Sequence, residues 1–366
     1  MRHRFHSICP YFAMFPESFA EKWIDRLTRR GDYVLDPFCG RGTAPFQALL
    51  MGRNAVASDI NPVAYCVSRA KTNSPSLASV RRRITILERE FELEAENLET
   101  ERRKLPVFFR HAYRLRTLRQ LLFLRHRLKW RRSDGDCMIA ALVLGSLHGE
   151  SNRSLSYLSN QMPRTISTKP DYSIRFWRTH GYKPPQRDVF ELLRKKLNFR
   201  YESSPPNGHA LMFHEDFREL PRLIKVFHKP IKCAITSPPY MNVTNYEEDQ
   251  WLRIWFLGGS PKPTYGKISK DDRHLRPEKY WDLISDIWRV LGLILHKRAD
   301  VVIRIGGKNL STDQIVNGLV GASVFSRRTI KLANCEISEI KKKQTDSFRP
   351  GTQGCSLEVD CHFQIT

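Results

Sequence analysis

The sequence predicts an α/β fold whose sheet is interrupted by a helical, basic insertion. Strand and helix patterns alternate over residues 32–74 and again over residues 207–366, as they do in sheets that are covered by helices. The residues between these two parts are helical in pattern, rich in arginine and poor in strand signals. We therefore place one domain at residues 1–74 and 207–366 and the insertion at residues 75–206.

Length and charge indicate a large domain that meets a polyanion. The chain has 366 residues, 41% of them hydrophobic, and a formal net charge of +23. This length suits one catalytic domain and a second unit. A protein with so large a positive charge repels itself unless it binds a polyanion, so the charge favours a nucleic acid as partner without separating DNA from RNA.

Composition argues against two classes: membrane or secreted proteins, and proteins held by zinc or disulfides. No apolar run reaches the roughly 18 residues that span a bilayer, and the N-terminus lacks a signal-peptide core. The eight cysteines are scattered, without a C-x-x-C pair or a cysteine-histidine cluster at zinc-ligand spacing. We expect a soluble cytoplasmic protein, or a nuclear one in a eukaryote, with reduced thiols and no metal.

The first motif, DPFCGRGT, spans residues 36–43 between a predicted strand and a predicted helix. Gly40 and Gly42 let the backbone turn tightly and approach a ligand, while the start of the helix offers free N–H groups. An ordinary glycine turn between strand and helix is the alternative. The next strand favours a binding site, because it ends in Asp59, whose carboxylate can accept hydrogen bonds from both hydroxyls of a ribose.

The chemistry of this site favours a nucleoside cofactor. The sequence contains no G-x-G-x-x-G, and no phosphate-binding lysine follows the glycines. A dinucleotide or a nucleoside triphosphate is therefore disfavoured relative to a nucleoside such as S-adenosylmethionine (SAM).

The second motif, TSPPY at residues 236–240, follows the predicted strand KCAIT. An exocyclic base amino group is a poor nucleophile, because its lone pair is delocalised into the ring. We expect the Ser237 hydroxyl and the Pro238 carbonyl to accept its two hydrogens, Pro239 to fix the backbone, and Tyr240 to stack on a flipped base. A polyproline loop is the alternative, and the position after a strand favours the catalytic interpretation.

Together and in this order, DPFCGRGT, SDIN at 58–61 and TSPPY resemble the motifs of SAM-dependent amino-group DNA methyltransferases, in the branch with a Ser-Pro-Pro-Tyr motif. Residues 6–24 resemble the N-terminal motif that covers the cofactor, and HEDFREL at 214–220 resembles the acidic end of the third strand. The resemblance covers residues 1–74 and about 207–257. It implies a Rossmann-like, seven-stranded, mostly parallel sheet with an antiparallel C-terminal hairpin, and Asp216 as a ligand of the adenine amino group. The cofactor-binding residues that it implies are Tyr11, Phe15, Asp36, Pro37, Phe38, Gly40, Gly42, Thr43, Asp59, Ile60, Asn61 and Asp216.

The resemblance also bears on the atom that is methylated. In this family a serine in the tetrapeptide is associated mainly with N4-cytosine methylation, and aspartate or asparagine mainly with N6-adenine methylation, so we favour cytosine and keep adenine as the alternative. Methylation of cytosine C5 needs a cysteine nucleophile in a Pro-Cys pair, whereas Cys9-Pro10 has the reverse order. We reject that reaction.

The insertion is predicted to recognise the DNA target. Residues 102–132 hold twelve Lys or Arg and no acid, and residues 160–185 are predicted to form an ordered loop for contact. A solvated helix face is the alternative to DNA contact. The candidates for phosphate contact are Arg114, Arg116, Arg119, Arg125, Arg127, Arg131 and Arg132. The candidates closer to bases are Arg175, Trp177, Arg178, His180 and Tyr182.

Two other functions stay open from the sequence. Methyltransferases that act on N2 of guanine in tRNA have a similar glycine motif and a Pro-Pro-Tyr loop, but they usually carry an N-terminal RNA-binding domain, and about 35 residues precede Asp36. A non-catalytic DNA-binding subunit is the second alternative, and the intact motifs speak against it. A cognate restriction enzyme is a candidate partner.

Overall fold

The computed structural model describes residues 2–11, 15–94, 98–149, 156–161, 169–242, 246–264, 273–307, 310–339 and 357–366. The chain divides into two compact units. The helical unit comprises Met1–Phe12, Arg69–Pro205 and Tyr246–Lys267. The sheet unit comprises Ala13–Ser68, Pro206–Asn245 and Ile268–Thr366.

Within the described ranges, the sheet unit contains one seven-stranded sheet. Its strands are β1 (Tyr33–Asp36), β2 (Asn54–Ser58), β3 (Ala210–Phe213), β4 (Ile231–Thr236), β5 (Ala299–Gly306), β6 (Ile330–Glu339) and β7 (Leu357–Ile365). Their spatial order is β3-β2-β1-β4-β5-β7-β6. Pairs among β1 to β5 are parallel, whereas β7 is antiparallel to both β5 and β6. The predicted mostly parallel sheet with an antiparallel C-terminal hairpin is confirmed.

Helices cover both faces of this sheet, and successive residues along a strand point to alternate faces. The helices with residues in the sheet unit are α1 (Glu17–Leu27), α2 (Thr43–Leu50), α3 (Pro62–Thr72), α11 (Leu220–Leu223), α13 (Pro277–Ile294) and α14 (Thr312–Ser323). Trp23 of α1 packs in one core cluster with Val34 of β1, and Trp288 of α13 packs in another with Leu35. Neighbouring strand residues thus face opposite sides, the period of two that a half-buried strand requires.

The helical unit is built around an apolar helix. Its helices are α4 (Leu77–Glu94), α5 (Glu99–Lys104), α6 (Val107–Ala112), α7 (Leu115–Arg127), α8 (Asp134–Leu144), α9 (Pro170–Thr179), α10 (Val189–Tyr201) and α12 (Tyr246–Phe256). Every residue of α8 from Cys137 to Leu144 is at most 1% exposed. Leu118, Leu121 and Leu122 form a buried face of α7, whereas Leu115, at the start of the helix, is exposed.

The division of the chain differs from the predicted boundaries most in two segments, residues 1–12 and 246–267, which belong to the helical unit. Residues 246–256 lie in the helical unit because Trp251 and Trp255 of α12 pack against Phe108 and Phe109, with ring centroids 4.5 to 6.1 Å apart. The N-terminal residues lie there because the Arg200 side chain of α10 donates hydrogen bonds to their backbone carbonyls, those of Arg4 and Ser7. Among the described residues, no helix is long and apolar enough to cross a membrane.

Candidate active site

The two main motifs meet where the order of the strands reverses. β1 pairs with β2 on one side and with β4 on the other, and Leu35 is in register with Ala234. The ends of β1 and β4 are joined by a hydrogen bond of 2.8 Å from the Thr236 hydroxyl to Asp36 Oδ1. Ligands of open α/β sheets bind at the carboxyl ends of the strands at such a point. The glycine loop and TSPPY therefore border the same region.

The glycine loop after β1 is held by groups from two other elements. The Gly40 N–H donates to Asp59 Oδ2 over 2.8 Å, and the Ser68 hydroxyl donates to the Gly40 carbonyl over 2.7 Å. Gly40 and Gly42 have φ angles of 50° and 71°, in the left-handed region that favours glycine. Sequence reasoning missed Ser68, because nothing near it in the chain marks a contact with a loop about 28 residues earlier.

Gly42→Ala is expected to lower the free energy of unfolding by about 3 kcal/mol, from left-handed strain and overpacking together. A Cβ at Gly42 would lie 2.6 Å from Ser68 Oγ and 2.8 Å from Ser68 Cβ. Gly31→Ala is the matched control, because its φ is +87° and nothing lies within 4 Å of the added atom; we expect about 1 kcal/mol there. Equal losses in urea titrations of the two variants would contradict the proposed clash.

The Asp59 carboxyl organises the end of β2. Its Oδ1 accepts a hydrogen bond of 2.9 Å from the Asn61 N–H, and Asn61 Oδ1 in turn accepts one from the N–H of Val63, at the start of α3. Burial raises the pKa of Asp59 to about 6, although its two backbone hydrogen bonds oppose this shift. The adjacent Ile60 is 41% exposed. The ionised carboxylate of Asp59, beside an exposed apolar side chain, can accept hydrogen bonds from the hydroxyl groups of a nucleoside.

Asp36 is the more buried of the two carboxyls. Its Oδ1 accepts hydrogen bonds from Thr236 and from the N–H of Phe38, whereas its buried Oδ2 has no hydrogen-bond partner among the described residues. Burial, with a smaller contribution from the negative charge of Asp59, raises the pKa of Asp36 to about 7. A buried acceptor without a donor is costly. Asp36, Asp59 and the glycine loop thus fit a ligand that brings hydroxyl and ammonium donors, as SAM does.

The remaining residues predicted to bind the cofactor differ in their surroundings. Both carboxylate oxygens of Asp216 accept hydrogen bonds from Arg218, at 2.9 and 2.7 Å, so a ligand amino group would share this acceptor. Phe38 lies 4.8 Å from Phe217, centroid to centroid. Pro37 and Thr43 are buried.

The N-terminal motif is divided between the two units. Phe15 packs 4.8 Å from Phe19 in the core of the sheet unit, whereas Tyr11 is buried in the helical unit. Residues 12–14 of this motif lie outside the described residues. Phe15 is thus a core residue in this structure.

The Ser-Pro-Pro-Tyr tetrapeptide is tied to the last strand by a chain of hydrogen bonds. The Ser237 hydroxyl donates to the Tyr240 oxygen over 3.3 Å, and the Tyr240 hydroxyl donates to Glu358 Oε1 over 2.9 Å. Burial and the negative charge of Glu358 hold the pKa of Tyr240 well above its usual value. Pro238 is buried and Pro239 half-buried. Glu358 was not predicted from the sequence, where the C-terminal strands carry no motif.

The arginines of α7 have acidic partners, which corrects the prediction of an unpaired basic stretch. Arg116 pairs with Glu92 and Asp188, Arg119 pairs with Glu99 at 2.8 Å, Arg125 lies 3.9 Å from Glu101, and Arg127 pairs with Glu90 and Glu94. All of these acids except Asp188 come from α4 and α5, before the basic stretch, and packing of the helices brings them across. Such pairs neutralise charge that the sequence alone leaves free.

The other arginines predicted to contact phosphates lie at the ends of α7 or beyond it. Arg114, directly before α7, donates to the Pro184 carbonyl over 2.8 Å. Arg131 lies over the ring of Trp130, with 4.3 Å between the guanidinium carbon and the ring centroid, and Arg132 is exposed.

Residues 170–179 form helix α9, whereas we predicted an ordered loop over this segment. Trp177 is 1% exposed and packs 5.6 Å from Phe108, so it is a core residue and is not available to bases. Arg175 and Arg178 are exposed on α9, and Tyr182 is exposed just after it. Residues 162–168 of the predicted loop lie outside the described residues.

Helix α9 and the residues directly after it carry a row of rings, which we call the aromatic strip. It consists of Tyr172, Phe176, His180 and Tyr182. Phe176 lies in its middle, 6.2 Å from Tyr172, 4.3 Å from His180 and 5.8 Å from Tyr182, centroid to centroid. Accessible rings beside arginines are typical of surfaces that bind nucleic acids.

Comparisons with known proteins agree with the motifs. Residues 3–68 match a family model for N6/N4 methylases, described as DNA methylase. The chain is 30% identical over 77 residues to the type II methyltransferase M.MjaII of Methanocaldococcus jannaschii, covering 21% of this chain and 14% of that protein. It is 23% identical over 278 residues to the type II methyltransferase M.BsoBI of Geobacillus stearothermophilus, covering 68% of this chain and 52% of that protein.

These matches support the predicted family of amino-group DNA methyltransferases, with SAM as methyl donor. The chain spans about half the length, or less, of these two curated relatives. Among solved structures, TrmN from Thermus thermophilus aligns with 100% of this chain and 53% of its own, at 10% identity and a TM-score of 0.38.

Proposed function

We propose that this protein is a DNA methyltransferase that transfers the methyl group of SAM to N4 of cytosine in a specific sequence. The observation that carries the proposal is the position of Ser237, which directly follows Thr236, the residue that is hydrogen-bonded to Asp36 of the glycine motif. This position supports a role for Ser237 as an acceptor for a base amino group, next to the carboxyl of Asp36 and the glycine loop that suit SAM.

The chain's own residues make the amino group a better nucleophile. When bound, SAM supplies an electrophilic methyl group, whose bond to sulfur breaks as the bond to nitrogen forms, with the electron pair remaining on sulfur. The Ser237 oxygen and the Pro238 carbonyl accept the two hydrogens of the flipped base's amino group and draw its lone pair out of the ring. The proton that the nitrogen loses passes to water.

The choice of cytosine rests on Ser237. In the family that the motifs resemble, serine at this position accompanies N4-cytosine methylation more often than N6-adenine methylation. Adenine is therefore the alternative substrate within the same reaction class.

Mass spectrometry of nucleosides tests substrate and atom together. Unmethylated DNA amplified by PCR is incubated with the protein and SAM, beside a tRNA control, and is then digested. N4-methylcytosine is the expected product, and N6-methyladenine would overturn the cytosine assignment but not the reaction class. Methylated tRNA alone would favour the tRNA alternative, and no product on either substrate would favour a non-catalytic subunit.

DNA contact is proposed for the aromatic strip and its arginines rather than for the centre of α7. Arg175 and Arg178 are exposed on the same short helix as Tyr172 and Phe176 of the strip. In contrast, Arg119 and Arg125 are bound by acids or backbone carbonyls. Cations that are not neutralised by the protein are the ones that release counterions when they meet phosphates.

Replacing Arg175 and Arg178 by glutamine is expected to weaken DNA binding and to reduce the slope of log affinity against log salt by about two, one for each phosphate that the variant no longer neutralises. The matched control is Arg194→Gln with Arg116→Gln, which removes two charges that are paired with Glu88 and Glu92. Fluorescence anisotropy over a salt series measures both slopes. A larger change of slope in the control than in the Arg175→Gln, Arg178→Gln variant would contradict this assignment.

A further inference from the structure

The hydroxyl of Ser237 belongs to a chain of two hydrogen bonds. Its oxygen lies 3.3 Å from the Tyr240 oxygen, which lies 2.9 Å from Glu358 Oε1. A carboxylate can only accept hydrogen bonds. As long as Glu358 is ionised, the Tyr240 hydroxyl must donate to it, and its oxygen is left to receive the Ser237 proton. The lone pairs of Ser237 then remain for another donor.

Glu358 is itself fixed by buried charges. Its Oε2 lies 3.1 Å from Arg304 Nη1 on β5, and Arg304 also makes two hydrogen bonds to Asp360, at 2.6 and 2.7 Å. The antiparallel register of β5 and β7 sets Arg304 opposite Asp360, and Glu358 lies two residues away on the same face of β7. The Arg304 guanidinium carbon lies 3.9 Å from the centroid of the Phe19 ring, so this ring covers the guanidinium group.

We propose that Glu358 is a positioning residue that acts through Tyr240 to hold the Ser237 oxygen in its acceptor orientation. Without this chain, Ser237 could turn its proton toward the base, and the hydroxyl would meet the amino group donor to donor. An acceptor that is oriented before the substrate arrives needs no reorganisation during the reaction. The inference rests on the proposed function and adds a role for the last strand.

The proposal is tested with Glu358→Gln, which keeps the shape but can donate through its amide and so reverse the chain. Methyl transfer to PCR-amplified genomic DNA is measured in single turnovers, with SAM affinity measured by calorimetry. We expect transfer to be about tenfold slower, with SAM affinity unchanged. Tyr240→Phe removes the link while keeping the ring and should give a similar loss.

Two controls separate positioning from general damage. Glu336→Gln removes another strand carboxylate, one that pairs with Lys22 and Arg26, and it should leave the rate unchanged. In a Ser237→Ala background, Glu358→Gln should cost nothing further, because there is no hydroxyl left to orient. An equal loss in both backgrounds, or a wild-type rate in Glu358→Gln, would overturn the proposal.

A readout that does not depend on activity is the ¹³Cζ NMR signal of Tyr240, assigned by its absence from Tyr240→Phe. We expect this signal to move in Glu358→Gln and to stay in Glu336→Gln. If the wild-type protein methylates no nucleic acid, the proposed function fails, whereas the NMR result still decides the hydrogen-bond chain. An unmoved Tyr240 signal would refute it.

Discussion

Ser237→Ala is expected to lower the rate of methyl transfer by about 100-fold while SAM binding stays nearly unchanged. The proposed role of this hydroxyl is to accept a hydrogen from the base amino group as the nitrogen becomes tetrahedral, and loss of one such oriented group typically costs about 10² to 10³ in rate. Ser237 lies in the loop after β4, and its hydroxyl is hydrogen-bonded to Tyr240, within the same tetrapeptide. Removing its oxygen therefore leaves Asp36 and Asp59 in place.

Asp59→Ala should show the opposite pattern, with weakened SAM binding and little further change once the protein is saturated. The Asp59 carboxylate accepts hydrogen bonds from the Gly40 and Asn61 N–H groups, so its loss disturbs the glycine loop as well as the proposed ribose contact.

Ser285→Ala is the control for removal of the Ser237 hydroxyl, since Ser285 donates to the Trp281 carbonyl within α13. Rapid-quench kinetics measures the rate of methyl transfer, and calorimetry measures the affinity for SAM. Parallel losses of rate and affinity in Ser237→Ala would contradict a catalytic role.

Local sequence was sufficient for the parts of the site that are built from neighbouring residues. The strand, glycine turn and helix around Gly40 and Gly42 were predicted, because positive φ angles and the end of a strand leave a pattern within a few residues. The position of TSPPY after a strand was predicted for the same reason, and β4 ends at Thr236 as expected.

Contacts between distant parts of the chain left no such pattern. Glu358 follows Tyr240 by 118 positions and reaches it only through the pairing of β5 with β7. Glu92 and Glu94, which pair with Arg116 and Arg127, lie 24 and 33 positions earlier, on another helix. A count of charges within one segment therefore overestimated the free charge of α7. Trp177 was misjudged for a related reason: its neighbours are exposed, and only the packing of α9 on α6 shows that its own ring is inside.

The pH dependence of SAM binding follows from the two carboxyls. Burial raises the pKa of Asp59 to about 6 and that of Asp36 to about 7. Hydroxyl and ammonium donors bind the ionised carboxylate, so affinity should rise from about pH 5 to about pH 8 and then level off. For each carboxyl, affinity falls by up to about tenfold for each pH unit below its pKa.

The free protein should respond to pH with the opposite sign. Both carboxyls have a higher pKa in the folded chain than in the unfolded one, so their contribution to stability is fully present below the unfolded value and is lost as pH rises through about 6 to 7. SAM should therefore raise the melting temperature more at pH 8 than at pH 5.5. In Asp59→Asn, the rise in SAM affinity through pH 6 should disappear, and the rise near pH 7 that belongs to Asp36 should remain. The control Asp313→Asn, at an exposed carboxylate of α14, should bind SAM as the wild-type protein does. Affinity that is independent of pH in the wild-type protein would show that SAM does not use these carboxylates.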